Sequence, residues 1–235
     1  MKRLFVVGCS HTLYPWPTYA DILAQEFDEY YNYGIAGIGN QAIFIRLVNL
    51  IKNYNLTKDD TLIVQWTNPH RFDFYKEPHG WYLGGNLSIQ YDDVQKVVAR
   101  FCWDEKSWEK VSEQYYYAAD LILKNLPATT HVLSYDVDKE GWLPCLKSLE
   151  PTDRPFKKML NANGQMPNKV VADHHYTPSM HLDYIKEFTS FPITEKMLQY
   201  VKKAENELEN VKDHRRLFTH MHDRKLIQES RLDLR

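Results

Sequence analysis

The chain has few cysteines and almost no net charge. Three cysteines in 235 residues, none of them in a Cys-x-x-Cys pair, are too few and too scattered for a disulfide framework or for a zinc or redox motif. We therefore expect a reducing compartment. Lys and Arg number 29 against 31 Asp and Glu, so the totals give no electrostatic support for a nucleic-acid partner or for an anionic membrane.

Long apolar runs are also lacking. No segment is long enough to cross a membrane, and the apolar residues after Met1 stop at Gly8, too early for the core of a signal peptide. The expected location is the cytoplasm, or the host cytoplasm or virion if the gene is viral. With 43% hydrophobic residues, the chain is expected to form one domain over residues 1–212, followed by a charged tail over 213–235.

Short apolar runs alternate with segments of helical spacing. Runs at 4–7, 30–33, 61–65 and 131–135 are typical of buried strands. Helical patterns cover 18–27, 40–53, 105–126 and two stretches after 181, and Asn40 is expected to cap the second helix. The alternation predicts an α/β fold, a three-layer α/β/α sandwich with a mainly parallel sheet.

Two stretches interrupt the alternation, at about 70–104 and 137–170. The first is rich in aromatic residues and the second in proline, and both are predicted to be irregular insertions. The first follows a strand end, which in a parallel sheet lies on the ligand side. Its aromatic rings either pack over the sheet, which is their more frequent use, or stack on sugar rings.

A serine hydroxyl follows the first apolar run, at Ser10. Serine becomes a nucleophile when an imidazole takes its proton and a carboxylate orients that imidazole. Asp173 and His175, which precede a late helix, can supply these groups, because the carboxyl ends of parallel strands open onto one edge of the sheet. A polar turn before a helix is the structural alternative for the pair.

Acyl transfer also needs donors for the oxyanion of the transition state, each worth roughly 3 to 4 kcal/mol. The backbone amide of Gly37 and the side-chain amide of Asn68 follow the next two predicted strands and can join the Ser10 amide. Asn68 precedes a proline, so it can equally be a turn initiator. His11 and Arg71 are the predicted substrate-binding residues; the Arg71 fork suits a carboxylate or phosphate, or a structural ion pair.

These residues together resemble the SGNH (GDSL-like) hydrolase family over residues 3–188. Four of the family's blocks have counterparts here: Gly8-Cys9-Ser10-His11-Thr12, Asn32-x-Gly34-x-x-Gly37, Trp66-Thr67-Asn68 and Asp173-x-His175. The resemblance implies a flavodoxin-like sheet and a catalytic set that needs no cofactor. Its implied roles are nucleophile for Ser10, oxyanion donors for Gly37 and Asn68, and triad partners for Asp173 and His175.

The blocks also depart from the family pattern. Cys9 replaces the usual Asp, Trp66 replaces a Gly, and Tyr176 replaces the Pro after the histidine. The commoner family spacing is Asp-x-x-His, so the base stays open among His174, His175 and His181, with His175 favoured. The opening Gly-Cys-Ser also resembles, more loosely, SGNH-like proteins encoded by phages.

Other chemistry is open at the same positions. Cys9 can rival Ser10 as nucleophile, and Asp173 with His174, His175 and His181 can ligate a metal. We favour a serine esterase or deacylase that hydrolyses a small-molecule or carbohydrate ester, with O-acetylated carbohydrate preferred, through an acyl-serine intermediate. An O-acyltransferase and a non-catalytic glycan-binding or virion-associated protein are the alternatives.

Overall fold

Strands and helices alternate along the chain as its apolar patterns predict. The computed structural model describes residues 1–77, 80–86, 93–102, 104–134 and 175–210. Its strands are β1 (Arg3–Gly8), β2 (Glu29–Gly34), β3 (Asp60–Trp66), β4 (Arg71–Lys76), β5 (Gly80–Asn86) and β6 (Thr129–Ser134). Its α-helices are α1 (Tyr19–Leu23), α2 (Asn40–Asn53), α3 (Asp93–Phe101), α4 (Glu105–Leu123), α5 (Pro178–Phe188) and α6 (Glu195–Asn210), and a short 3-10 helix spans Ala24–Glu26.

The central sheet has four strands in the order β2-β1-β3-β6, and every neighbouring pair is parallel. The chain moves from β1 to β2 on one side and returns to β3 on the other side of β1. Sheets of this kind bind ligands outside the carboxyl ends of the strands, at the point where the strand order reverses. That point lies between β1 and β3, where the chain leaves β1 toward Ser10.

Helices cover both faces of the sheet. Side chains alternate along β1, so Leu4 and Val6 join the core under α1, α5 and α6, while Phe5 and Val7 join the core under α2 and α4. All four side chains are fully buried. The predicted three-layer α/β/α sandwich with a parallel sheet is therefore confirmed.

Helix α4 begins with a side-chain cap and is amphipathic. At the start of α4, the carboxylate of Asp104 accepts a hydrogen bond from Ser107 N at 2.9 Å, which caps the first turn. Tyr116 and Leu123 are buried in the core beneath α4, whereas Leu121 is 66% exposed. None of the helices in the described ranges combines the length and the apolarity that a membrane span requires.

The sequence predicts that Asn40 caps α2. In the structure Asn40 is instead the first residue of the helix. Its side chain instead bonds the end of β3 and α4: Oδ1 accepts from Thr67 N at 3.0 Å, and Nδ2 donates to Thr67 O at 3.0 Å and to Tyr116 OH at 2.8 Å. The prediction was wrong because capping preference is a local property, whereas these partners are distant in sequence.

The first predicted insertion is more regular than expected. Strands β4 and β5 form an antiparallel hairpin, and α3 follows it. Phe72 is 3% exposed, and the rings of Phe74 and Tyr82 stack at 5.0 Å, so the aromatic residues hold the hairpin together. A register shift between Arg71 and Asp73 interrupts the alternation that would have indicated a strand. Residues 137–170 and the tail 213–235 lie outside the described residues.

The hairpin supplies the real cap of α2. Oδ1 of Asp73 accepts from Gly39 N at 2.7 Å and Oδ2 accepts from Ala42 N at 3.0 Å, at the positive end of the helix dipole. A Cβ on Gly39 would lie 2.9 Å from both Arg71 O and Asp73 Oδ2, so only glycine allows this approach. Burial raises the pKa of Asp73 to about 6, although the two N–H groups and Arg71 lower it.

Asp73 should make stability depend on pH in a direction opposite to that of a carboxylate whose pKa the fold lowers. Its pKa is about 6 in the fold against an ordinary 3.8, so its contribution is complete below 3.8 and is lost as the pH rises through 6. We expect the free energy of unfolding of the native protein, measured by urea titration relative to Asp73→Asn, to fall by about 2 kcal/mol from about pH 4 to about pH 7. Parallel pH curves for the two proteins would contradict this assignment.

Candidate active site

The three strands that precede Ser10, Gly37 and Asn68 end at the same edge of the sheet. Gly8 pairs with Gly34, Val7 pairs with Val64, and Ile35 N donates to Gly8 O at 3.0 Å just beyond the last pair. The loops after β1, β2 and β3 therefore leave the same edge of the sheet. They carry Ser10, Gly37 and Asn68, respectively.

The turn after β1 is held in place by buried hydrogen bonds. Thr12 N donates to Cys9 O at 2.9 Å, and Thr12 Oγ1 donates to Gln65 Oε1 on β3 at 2.7 Å. A Cβ on Gly8 would lie 2.1 Å from Thr12 Oγ1 and 3.0 Å from Gln65 Cβ, so the glycine makes room for this bond. Ser10 is 3% exposed in the turn.

Asn32 connects this turn to β2. Its Nδ2 donates to Thr12 O at 2.8 Å, and its Oδ1 accepts from Gly34 N at 2.9 Å. Thr18 Oγ1 donates to the same Thr12 carbonyl at 2.7 Å. Since buried polar groups are stable only when they are hydrogen-bonded, these contacts define one position for the turn.

Ser10 and His175 meet at the carboxyl edge of the sheet. His175 Nε2 lies 2.9 Å from Ser10 Oγ, and the ring is half-buried. For Nε2 to accept the hydroxyl proton, the ring proton must be on Nδ1. The Nδ1–H group would then donate to an orienting carboxylate. Asp173, predicted for that role, and His174, an alternative base, lie outside the described residues.

Tyr14 and Trp16 hold the segment that carries His175, and sequence reasoning missed both. The Tyr14 ring stacks on the His175 imidazole with centroids 3.7 Å apart and planes 21° from parallel. Trp16, which is fully buried, packs edge-on against Tyr14 and donates from Nε1 to Tyr176 O at 2.6 Å. The one available signal was the placement of two aromatic residues directly after the serine turn.

His11 and His181 pack behind His175. The His11 ring lies 5.0 Å from the rings of both His175 and Tyr176, and 6.1 Å from that of His181. Neither nitrogen of His181 has a hydrogen-bond partner in the part of the chain that the structure describes, so it does not bond Ser10. Burial lowers the pKa of His181 to about 3, which makes it a poor base. His11 is 3% exposed and packs against the base, and its predicted role in substrate binding stays a prediction.

The predicted oxyanion donors lie in the two neighbouring loops. Gly37 has φ +79°, a conformation that favours glycine, and is half-buried. Asn68 is half-buried, and its Oδ1 accepts from His70 N at 2.7 Å. This contact is the expected turn, and the role of Asn68 as an oxyanion donor stays a prediction.

The structure bears on the rival nucleophile, whereas two of the four residues of the alternative metal site, Asp173 and His174, lie outside the described residues. Cys9 is fully buried in the core with Phe5 and Val7, with its Sγ 4.0 Å from Gln65 Oε1. Among the residues that the structure describes, no three His, Cys, Asp or Glu side chains are grouped so that they could hold a metal ion.

A double-mutant cycle tests the close approach in the serine turn. We expect Gly8→Ala to lower the free energy of unfolding by about 1–3 kcal/mol, because the added methyl group overpacks a buried site. The loss should be smaller in a Thr12→Ala background, where the atom nearest to the new methyl group is absent. Urea titration of the four proteins measures both values, and equal losses in the two backgrounds would show that Thr12 does not exclude a side chain at residue 8.

The stack of Tyr14 on His175 should control the reactivity of Ser10. We expect Tyr14→Leu to slow the labelling of Ser10 by a fluorophosphonate probe about two- to tenfold, since aromatic pairs contribute roughly 0.5–1.5 kcal/mol. Tyr14→Phe keeps the ring and is the matched control. Equal labelling rates for the Leu and Phe variants would show that the stack does not position the imidazole.

Comparisons with known proteins leave the resemblance to SGNH hydrolases as a prediction. No protein family, no curated protein and no solved structure matches the chain.

Proposed function

We propose that the protein is a serine esterase or deacylase of the SGNH type. The observation that carries the proposal is the 2.9 Å contact between Ser10 Oγ and His175 Nε2 at the carboxyl edge of a parallel sheet. Residues at the end of the first strand and before a late helix have no local reason to meet. Their contact in the preferred ligand-binding region of this fold supports a shared chemical role.

The reaction has two steps. His175 Nε2 takes the Ser10 hydroxyl proton while Oγ bonds to the ester carbonyl carbon, and the same proton then passes to the leaving alcohol oxygen as its bond to that carbon breaks. Water next attacks the acyl-serine, with His175 again accepting and returning the proton. The net reaction converts ester and water into acid and alcohol. In this proposal Asp173 orients His175, and no cofactor takes part.

The carbonyl oxygen gains negative charge in both steps. The backbone N–H groups of Ser10 and Gly37 and the Nδ2 of Asn68 are the proposed donors to it. Support comes from the level strand ends and from the His70 contact that fixes the Asn68 amide plane. Donors held in place before the reaction stabilise such charge better than water, because they need not reorganise.

O-acetylated carbohydrate is the substrate class that we favour. Support comes from the hairpin β4–β5, where Tyr75 is 40% exposed and pairs edge-on with Trp81 at 5.9 Å. Exposed aromatic rings offer flat apolar surfaces to the faces of sugar rings. If a sugar hydroxyl rather than water resolves the acyl-serine, the same site is an O-acyltransferase.

Loss of the serine hydroxyl tests the proposal directly. We expect the native protein to hydrolyse p-nitrophenyl acetate and to be labelled on Ser10 by a fluorophosphonate, whereas Ser10→Ala should lose about a thousandfold or more in kcat. Cys9→Ala, which alters the neighbouring thiol, is the control and should keep both properties.

Three outcomes would overturn the esterase. A native protein with neither turnover nor label would indicate a non-catalytic binding protein. Activity that survives in Ser10→Ala but is abolished by a chelator would indicate a metallohydrolase. Release of the acyl group from Ser10 only when a sugar is added would indicate an O-acyltransferase rather than a hydrolase.

A further inference from the structure

Arg71 lies in the same turn as the proposed oxyanion donor Asn68. Arg71 N donates to Asn68 O at 3.2 Å, which closes a four-residue turn around Pro69 and His70. The Asn68 side chain bonds the same turn through His70 N. The backbone at Arg71 is therefore fixed relative to Asn68.

The guanidinium of Arg71 points toward the other site loops. Its Nη1 donates to Ile38 O at 3.4 Å, next to Gly37. Its charge also acts on His11, the residue after Ser10, since it contributes to lowering the pKa of that imidazole. The positive charge is thus near the loops after both β1 and β2, at the edge where Ser10 lies.

The Arg71 guanidinium forms no direct ion pair in the described part of the chain, although its charge acts on Asp73 at longer range. No carboxylate there lies within 4.0 Å of the Arg71 guanidinium, and its Nε is buried without an acceptor. By contrast, Arg3 forms two hydrogen bonds with Asp60, at 2.6 and 2.7 Å. An unsatisfied buried donor costs about 1–3 kcal/mol, and more when it is charged.

Asp73 does not fill that role, although it is only two residues away. Both of its oxygens accept backbone N–H groups, from Gly39 and Ala42. Both Asp73 oxygens are therefore engaged by the first turn of α2, and the guanidinium fork of Arg71 remains for another anion.

We propose that Arg71 binds an anionic group of the substrate, so that the preferred ester carries a carboxylate or phosphate near its scissile bond. This inference rests on the proposed esterase function and narrows its substrate class to anionic esters. A guanidinium suits the task because its planar fork donates two parallel hydrogen bonds to such an oxyanion.

Matched esters test the preference and locate the anion. One pair is 4-nitrophenyl hydrogen succinate and its methyl ester, with the charge on the acyl side. The second is 4-acetoxybenzoate and its methyl ester, with the charge on the alcohol side, and 4-acetoxyphenyl phosphate adds a phosphate. We expect a kcat/KM at least tenfold higher for the anionic member of one pair than for its methyl ester. Arg71→Gln should lower this anionic-to-neutral ratio of kcat/KM values at least tenfold, and Arg71→Lys should give an intermediate ratio.

Arg100→Gln is the control for net charge, because Arg100 is an exposed residue on α3. The anionic-to-neutral ratio of kcat/KM values in Arg100→Gln should equal that of the native protein. Equal ratios in the native protein and Arg71→Gln would overturn the inference, as would a native protein without preference in either pair. Circular dichroism and thermal melting of each variant show whether it is folded.

Binding separates this inference from the esterase itself. Calorimetry on Ser10→Ala, which cannot form the acyl-serine, should show the anionic ester binding at least tenfold more tightly than its methyl ester. Arg71→Gln in that background should remove the difference. If no ester is hydrolysed but this difference appears and depends on Arg71, the esterase proposal fails and the anion site stands. If the two esters bind equally, the anion site fails whatever the activity.

Discussion

The central strand β1 is hydrogen-bonded on both edges, to β2 and β3, and buried on both faces. Its alternate side chains enter two different cores, so a slip of one residue would exchange the two sets. The register is therefore fixed, and with it the level at which the three strands end. The loops that carry Ser10, Gly37 and Asn68 each begin from that common edge.

Side-chain hydrogen bonds extend this alignment beyond the strands. Thr12 in the loop after β1 bonds Gln65 on β3, and Asn32 on β2 bonds the Thr12 carbonyl. At the start of α2, Asn40 bonds the backbone of Thr67, one residue before Asn68. Thr12, Asn32 and Asn40 are each hydrogen-bonded to a different loop or strand, so the loops support one another in a single arrangement. A site that must hold several groups in fixed geometry requires this kind of support.

Local patterns were sufficient to predict the sheet, its helices and the serine turn. The position of Ser10 follows from an apolar run that ends in a small polar turn, and the contact with His175 was predicted from sheet topology. Asp73 as the cap of α2 and Tyr14 as the support of His175 were not predictable, because each acts on a residue that only the fold brings near. The pairing of Phe74 with Tyr82 was hidden by the irregular register at the start of the hairpin. The choice between His175 and His181 needed a contact that spans 165 residues.

The rings of His11, His175 and His181 lie close together, and burial prevents more than one of them from carrying a positive charge. In the proposed reaction His175 becomes an imidazolium when it takes a proton from Ser10, and a second positive charge on His11, with its ring only 5.0 Å away, would oppose that step. Burial lowers the pKa of His181 to about 3 and that of His11 well below its ordinary value, so both stay neutral at neutral pH. For His181 this burial leaves both nitrogens without hydrogen bonds in the described residues, a cost of about 1–3 kcal/mol for each group. The two buried rings therefore pack the site without adding charge, and His175, half-buried and in contact with Ser10, is the histidine positioned to exchange a proton.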